Sequence, residues 1–230
     1  MVVAPTLVLL PPDPAFSRVI TPVWLNGDLE EASVRGSTIW ISGSTVVVQG
    51  DGFDVMNTRN KCRFVHTVIS GSYAFSVRVT DIACTHALAR TGIMARSATL
   101  DSGPNMFFGF LGDGALTMQA HLSFGNTDVD VRTMPASNEW HACHLRLERK
   151  GREFRTFYAA NGKDWVPFSI YKMDMPDESG VGVVVTSHIP KTFASGKFDK
   201  FHLWGLAPAA ESNACAAASS NTNSVAAGGQ

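Results

Sequence analysis

The chain has 230 residues, 45% of them apolar and 17% charged, and its 19 basic and 20 acidic residues leave a net charge of −1. This composition is typical of a globular protein with a substantial core and argues against a disordered chain. The balanced charge, with no run of Lys or Arg, argues against nucleic-acid binding.

The first 21 residues form a proline-rich segment with little periodicity, which we interpret as an extended N-terminal arm. Its longest apolar run, Leu7–Leu10, ends at Pro11-Pro12. No basic residue precedes this run, and the run falls far short of the ~20 apolar residues that a membrane helix needs. We therefore expect neither a signal peptide nor a membrane span.

The cysteines bear on the cellular compartment. Cys62, Cys84, Cys143 and Cys215 are scattered along the chain and show no CxxC spacing. In a chain without an export signal they are expected to be reduced thiols, which predicts a cytoplasmic protein. Their even number leaves two disulfides open as the alternative.

Residues 22–206 alternate short β-branched and aromatic runs with clusters of Gly, Asn, Asp and Ser, which is the pattern of an all-β domain. The first two runs, STIWIS and STVVVQG, meet at Ser42-Gly43, and this junction predicts a hairpin. In the run YAFSVRVTDI, alternation places Phe75, Val77 and Val79 on one face of the predicted strand.

Three further hairpins are predicted in the second half of this domain. Glycine-containing turns separate apolar runs at Gly112–Gly114, Lys150-Gly151 and Asn161-Gly162. Asn-Gly is typical of a type I′ turn, in which both central residues have positive φ. The run VGVVVTSH predicts a strand that is buried on both faces or central in its sheet. No segment keeps helical apolar spacing for ten residues, so we predict two antiparallel sheets packed face to face.

The composition changes at the end of the domain. Residues 207–230 consist mainly of Ala, Ser, Asn and Gly. Such a segment buries too little apolar surface to offset the entropy lost on ordering, so we expect a flexible tail.

Seven fragments follow one another in the order and spacing of a known family. They are Trp24, VQGDGFDV (48–55), GSYAFSVRV (71–79), TGIMARS (91–97), WHACHLRLERKGREFRTFYAANGKDW (140–165), GVGVVVTSH (180–188) and FDKFHLW (198–204). Over residues 22–205 the chain resembles the concanavalin A-like domain family named for a regulator of enolase, whose general function is not established. The resemblance implies a lectin-like jelly-roll sandwich of two curved antiparallel sheets. Family members usually carry an acidic residue before the glycine of Asn161-Gly162, so this chain lacks one carboxylate that would serve catalysis or calcium binding.

Concanavalin A-like folds include glycoside hydrolases, which usually need a pair of carboxylates. Glucanases of this fold place them on one strand in an E-x-D-x-x-E arrangement, and no such spacing occurs here. The nearest approach, Asp128-x-Asp130, lacks a third acid and is typical of a solvated strand end. We therefore predict that the protein is not an enzyme.

Two motifs contain residue types that bind metals. On a strand, His141 and Cys143 point to one face and His144 to the other, so the three side chains cannot converge on one ion. Asp51 and Asp54 supply fewer ligands than the six or more that calcium takes. We predict no metal and no cofactor.

Ligand binding is the remaining predicted role. Sugar recognition combines aromatic faces with side chains that hydrogen-bond hydroxyl groups, and the candidates are Arg96, Trp140, Trp165 and His188. The alternative for both tryptophans is core packing at strand ends. The alternative for Arg96 is an ordinary outward position on its strand or an ion pair. The alternative for His188 is that it caps the end of a strand.

We expect a non-catalytic, lectin-like binding module for carbohydrate or for a protein partner. The alternative is a structural or scaffold subunit that uses its terminal segments, with a glycoside hydrolase as a third class supported only by fold analogy. Exposed edge strands also leave association into an oligomer open.

Overall fold

The structure is a computed structural model that describes residues 11–29, 33–53, 55, 60–99, 103–121, 129–136 and 142–207. These residues form fifteen β-strands and no helix, which confirms the predicted all-β class. The strands are β1 Phe16–Val19, β2 Leu25–Leu29, β3 Ser37–Ser42, β4 Thr45–Gly50, β5 Cys62–Ser70, β6 Tyr73–Ala83, β7 Arg90–Ser97, β8 Asn105–Leu111, β9 Leu116–His121, β10 Val129–Met134, β11 Cys143–Lys150, β12 Glu153–Ala159, β13 Val166–Lys172, β14 Glu178–Thr186 and β15 Ala194–Leu206.

The strands form two antiparallel sheets. Sheet A has the order β13-β12-β11-β6-β15-β4-β3, and β1 also pairs with β15. Sheet B has the order β10-β9-β8-β7-β14-β5-β2. The predicted sandwich of two antiparallel sheets is therefore confirmed. Across the described ranges, no helix has the length and apolar character that crossing a membrane requires.

A shared core lies between the two sheets because side chains alternate along each strand. Phe75, Val77 and Val79 of β6 belong to one buried cluster with Ile93 of β7 and Val183 of β14, as the alternation in the sequence predicts. Strand β14 lies between β5 and β7, and every residue after its first is buried. The prediction of a central, fully buried strand is thus confirmed.

Three of the predicted hairpins are present as expected. Ser42-Gly43 lies at the turn from β3 to β4, Gly112–Gly114 connects β8 to β9, and Lys150-Gly151 lies at the turn from β11 to β12. Positive φ values at Gly114 (85°) and Gly151 (60°) explain the need for glycine in the last two turns.

The connection from β12 to β13 is a hairpin but not the expected type I′ turn. It spans residues 160–165, and of Asn161 and Gly162 only Gly162 has positive φ, at 72°. Asn161 acts through its side chain, because its Oδ1 accepts hydrogen bonds from the backbone N–H groups of Lys163 and Asp164, both at 2.9 Å. The longer loop forms because the asparagine side chain replaces a backbone turn, as Asn commonly does.

The described part of the N-terminal segment is joined to sheet A. Strand β1 pairs with the end of β15, and the backbone N–H of Asp13 donates to both carboxylate oxygens of Glu148 at 3.2 Å. Lys150 Nζ also lies 2.8 Å from Asp13 Oδ2. Residues 1–10 of the predicted arm and residues 208–230 of the predicted tail lie outside the described residues.

Candidate functional site

The outer face of sheet B, turned away from the shared core, carries a row of polar side chains. Arg96 of β7 lies opposite Gly180 of β14 on one side and Asn105 of β8 on the other. Asn105 in turn lies opposite His121 of β9. Strand pairing therefore sets Arg96, Asn105 and His121 side by side across three strands, and we call these three residues the polar row.

Four glycines lie on the outer face of sheet B beside the polar row. Gly180 and Gly182 alternate along β14, and Gly92 and Gly109 face each other across β7 and β8. All four occupy outer-face positions, since the residues beside them, including Val181 and Val183, point into the core. Glycine inside a strand often marks close approach of a ligand or of another backbone, because no side chain covers the peptide groups.

Phe64 and His66 of β5 form an aromatic stack on this face. The rings of Phe64 and His66 lie parallel, with centroids 4.4 Å apart and planes inclined by 4°. A Cβ on Gly180 would lie 3.2 Å from His66 Cδ2, so the glycine leaves room for the imidazole. Burial lowers the pKa of His66 and the charge of Arg96 adds to this effect, although a hydrogen bond with the Phe64 backbone opposes it. His66 is therefore a neutral ring beside Arg96 at pH 7.

The polar groups on this face differ in how well they are hydrogen-bonded. The Gln119 side chain is held by Arg90, whose Nε lies 2.9 Å from Gln119 Oε1. Asn105 is 2% exposed, and its buried Nδ2 has no hydrogen-bond partner among the described residues. A buried donor in this state costs about 1–3 kcal/mol, so unsatisfied donors are rare in native proteins. Asn105 Nδ2 is therefore a donor that no described residue satisfies.

Trp165 lies elsewhere, on the outer face of sheet A. The Arg146 guanidinium lies 5.8 Å from the Trp165 ring centroid and 4.9 Å from that of Trp204, and it pairs with Glu148 at 2.7 Å. The edge of Trp165 also meets the His144 ring, with centroids 6.4 Å apart. Trp165 thus packs the β12–β13 connection against β11 without entering the core between the sheets.

His188 lies at the end of the sandwich, just beyond β14. Its ring stacks with those of Phe53 and His86, at centroid distances of 5.0 and 4.8 Å. Arg96 lies opposite Gly180, whereas the last residue of β14, Thr186, is six positions further along. At ~3.3 Å per residue of strand, this places His188 about 20 Å or more from the polar row.

The structure therefore does not bring the sequence candidates into one site. Arg96 lies in the polar row, Trp165 lies on the other sheet, His188 lies at a loop end, and Trp140 lies outside the described residues. The sequence reasoning missed His66 and Asn105. The alternation of Gly180 and Gly182 with core valines was a signal for outer-face positions where other side chains, such as that of His66, pack close to the backbone.

The residues considered for metal binding are dispersed. Cys143 lies in the core, where burial raises the pKa of its thiol to about 12, and His144 lies on the opposite face of β11, while His141 is outside the described residues. Asp51 is buried and accepts hydrogen bonds from the backbone N–H groups of Val34 and Gly52. Among the described residues, no three His, Cys, Asp or Glu side chains are grouped to hold a metal ion.

The other candidate carboxylates are also dispersed. Asp54 and Asp128 lie outside the described residues, and Asp130 is exposed on the edge strand β10. Cys62, Cys84 and Cys143 are thiols in the structure, and Cys215 lies outside the described residues. The expectation of reduced cysteines is met for the three that are described.

No family model and no curated protein matches the chain. Among solved structures, the chain is similar to a functionally unknown protein from Saccharomyces cerevisiae, with 17% identity and a TM-score of 0.64 over 79% of this chain and 95% of that one. It is similar to a carbohydrate-binding module from Bacillus subtilis, with 15% identity and a TM-score of 0.52 over 79% and 95%. It is also similar to a legume lectin-like domain from Entamoeba histolytica, with 10% identity and a TM-score of 0.51 over 80% and 90%. At these identities the similarity shows the fold alone, a concanavalin A-like, lectin-type jelly-roll sandwich.

Proposed function

We propose that the protein is a non-catalytic, lectin-like module that binds carbohydrate on the outer face of sheet B, at the polar row. The observation that carries the proposal is the buried Nδ2 of Asn105, which no described residue hydrogen-bonds although it lies between Arg96 and His121. A sugar hydroxyl would satisfy this donor, and the guanidinium of Arg96 supplies further donors beside it.

The surroundings of the polar row suit a sugar ring. Gly180 leaves room for the imidazole of His66, which is half-buried and lies beside Arg96. The half-buried ring of His66, which stacks on the buried Phe64, provides aromatic surface of the kind that packs on the apolar face of a sugar. Apolar surface with a few placed polar groups is the usual character of small-ligand sites. The similarity to a carbohydrate-binding module and to a lectin-like domain supports the same role.

The absence of catalysis is part of this proposal. Within the described strands of sheet B, the outer face carries one carboxylate, Glu178, at the end of β14. Glycoside hydrolysis usually requires two carboxyl groups that flank the scissile bond. We also infer, from the ordered motifs over residues 22–205, that the chain belongs to the concanavalin A-like family named for a regulator of enolase.

The test is a glycan array with the full chain, followed by calorimetric titration of any sugar that binds. Arg96→Ala and Asn105→Leu should each weaken binding at least about tenfold, because each removes a donor from the site. Arg155→Ala is the matched control, since Arg155 is also a half-buried strand arginine but pairs with Glu153 in sheet A. It should bind like the wild type.

Stability measurements separate loss of a donor from loss of the fold. The free energy of unfolding of the Asn105→Leu variant should be no lower than that of the wild type, because the substitution removes an unsatisfied buried donor. Full sugar affinity in the Arg96→Ala, Asn105→Leu double variant would contradict the site. An array without hits would contradict carbohydrate binding and favour the scaffold alternative, and release of reducing sugar from a polysaccharide would contradict the non-catalytic role.

A further inference from the structure

Strand β3 forms one edge of sheet A and exposes apolar side chains there. Among the described strands it pairs with β4 alone, and none of them hydrogen-bonds the N–H and C=O groups along its other side. Ile39 is 56% exposed, Trp40 38% and Ile41 60%. Three successive apolar residues are therefore accessible on this edge strand.

Other edge strands of the described sheets carry features that discourage pairing. The opposite edge of sheet A, β13, contains Pro167 and ends at Lys172. Of the two edges of sheet B, β10 contains Asp130 and Arg132, and β2 contains Asp28. Prolines and charges are the usual means by which edge strands avoid association. Strand β3 contains neither, and its one irregularity, between Trp40 and Ser42, lies on the side that pairs with β4.

The apolar character extends beyond β3. Seven of the thirteen large apolar side chains that are exposed in the described residues lie within residues 19–41: Val19, Val23, Leu25, Val34, Ile39, Trp40 and Ile41. The ring of Trp40 lies 6.2 Å from that of Trp24, which lies 5.2 Å from that of Phe201, so β3 and the segment before β2 form one surface. Exposed apolar patches of this kind mark interaction sites.

We propose that β3 docks against β3 of a second copy of this chain, in an antiparallel arrangement that continues sheet A across a two-fold axis. Read in either direction, the strand STIWIS presents Ser at its ends and Ile-Trp-Ile at or beside its centre. Antiparallel pairing centred on Trp40 sets Trp40 opposite Trp40 and Ile39 opposite Ile41 of the second copy, so apolar side chains meet apolar side chains and no like charges meet.

The size of the surface also fits a second copy. A two-fold interface uses the same patch on both subunits, and a standard interface takes about 20–30 residues from each. Without β2, which belongs to sheet B, residues 19–24 and 33–42 supply sixteen residues, which corresponds to an interface somewhat smaller than the standard size and to a weak dimer. Because β3 belongs to sheet A, the pairing leaves the outer face of sheet B accessible and does not depend on carbohydrate binding.

The test is sedimentation equilibrium of the full chain up to about 100 µM, a range in which weak dimers are populated by mass action. The wild type should approach twice the mass of the 24.7 kDa chain. Ile39→Lys should weaken association at least about tenfold, because it sets a lysine opposite Ile41 of the second copy twice in the interface, with both charges on the same face of the sheet. Val166→Lys is the matched control, since Val166 is a 44% exposed β-branched residue on the opposite edge of sheet A. It should dimerise like the wild type.

Hydrogen exchange provides a second measurement that does not depend on a variant. Alternate backbone amides of β3 should exchange more slowly as the protein concentration rises, whereas those of β13 should not change. A chain that stays monomeric at the highest concentration would overturn the proposal and leave the β3 edge to a different partner. A dimer that survives Ile39→Lys, or that Val166→Lys disrupts, would also overturn it.

Discussion

Glycines in the hairpins of sheet A occupy similar backbone conformations in different surroundings. Gly151 has a φ of 60°, and a Cβ there would meet no atom within 4 Å. Gly162 has a φ of 72°, and a Cβ there would lie 2.7 Å from Cε1 of the buried His144 ring. The two positions therefore separate backbone strain from steric conflict.

Gly162→Ala should lower the free energy of unfolding more than Gly151→Ala does. Positive φ costs a non-glycine residue about 1–2 kcal/mol, which is the full effect expected at Gly151. At Gly162 the new methyl group must also displace His144, so we expect a loss of about 2–3 kcal/mol. Urea denaturation of both variants measures the difference in the free energy of unfolding. Equal losses would show that the His144 ring can move aside without destabilising the fold.

Asn105 illustrates how a single residue links stability to function. Its unsatisfied amide is unfavourable for the unliganded fold, because burial removes water without supplying a partner. Such a group is tolerated where a ligand completes its hydrogen bonds. His66 differs, since burial lowers its pKa and makes it neutral, so that it contributes ring surface without charge.

At the scale of the element, Arg149 fastens the end of β11 to the segment that leads into β14. It is 4% exposed and donates to the backbone carbonyls of Met175 (2.9 Å) and Asp177 (3.0 Å) and to Ser179 Oγ (3.1 Å). Ser179 Oγ donates to the OH of Tyr73, and burial raises the pKa of this phenol to about 12. The guanidinium thus organises a hydrogen-bond network at one end of the core.

Arg149→Met should lower the free energy of unfolding by about 3 kcal/mol, because it leaves buried carbonyl groups without donors. Arg152→Met is the control, since Arg152 lies in the next turn and pairs with Asp174 with both side chains about 70% exposed. Exposed pairs contribute about 0–1 kcal/mol, so little change is expected there. Chemical denaturation distinguishes the two, and similar losses would mean that the network around Arg149 is dispensable.

The pair Arg78–Asp199 joins β6 to β15 and gives a pH-dependent contribution to stability. Hydrogen bonds from Arg78 lower the pKa of Asp199 below its ordinary value of 3.8, although burial opposes this shift. A carboxyl group whose pKa is lower in the folded state stabilises the fold above the unfolded pKa. This stabilisation is lost as the pH falls through the folded pKa.

Asp199→Asn should therefore lower the free energy of unfolding by about 1 kcal/mol at pH 7, a value reduced by partial solvent exposure. The difference from the wild type should shrink as the pH falls below about 4 and on through the lowered pKa of the folded carboxyl group, because Asp199 then becomes protonated in the folded state. Urea denaturation between pH 2 and pH 7 measures this difference, because carboxyl groups titrate within that pH range. A difference that is independent of pH would contradict the role of the ionised pair.

At the scale of the whole molecule, Trp24 helps to hold the two sheets together at their shared side. It precedes the first residue of β2 in sheet B, and its ring packs on Phe75 and Phe201 of sheet A, with centroids 6.2 and 5.2 Å away. A cavity of about 70 Å³ remains beside it, lined also by Leu203. This void already leaves some of the aromatic surface without contacts.

Trp24→Ala should lower the free energy of unfolding by about 2–3 kcal/mol, less than for a fully buried aromatic, because the indole is only half-buried. The neighbouring Val23→Ala is the control, since Val23 is 76% exposed and should change stability by no more than about 0.5 kcal/mol. Thermal and chemical denaturation both report the loss, and a Trp24→Ala variant as stable as the Val23→Ala variant would contradict the bridging role.

Local patterns predicted much of this architecture. Alternation in β6 and the apolar run of β14 identified core-facing residues, and the glycine turns at Gly112–Gly114 and Lys150-Gly151 identified hairpins. These predictions succeed because side-chain alternation and turn geometry depend on neighbours in sequence. The type I′ expectation at Asn161-Gly162 was wrong because the Asn161 side chain closes a longer loop instead.

The sequence by itself determined the all-β class, the positions of most strands and Arg96 as a candidate for binding. Only the tertiary structure decided that Arg96 adjoins Asn105 and His121, that Trp165 and His188 lie elsewhere, and that β3 is an unprotected edge. The reason is physical. Neighbouring strands such as β14 and β7 are joined by hydrogen bonds between residues far apart in the chain, and a shift of one residue in that register would turn every side chain of a strand to the opposite face.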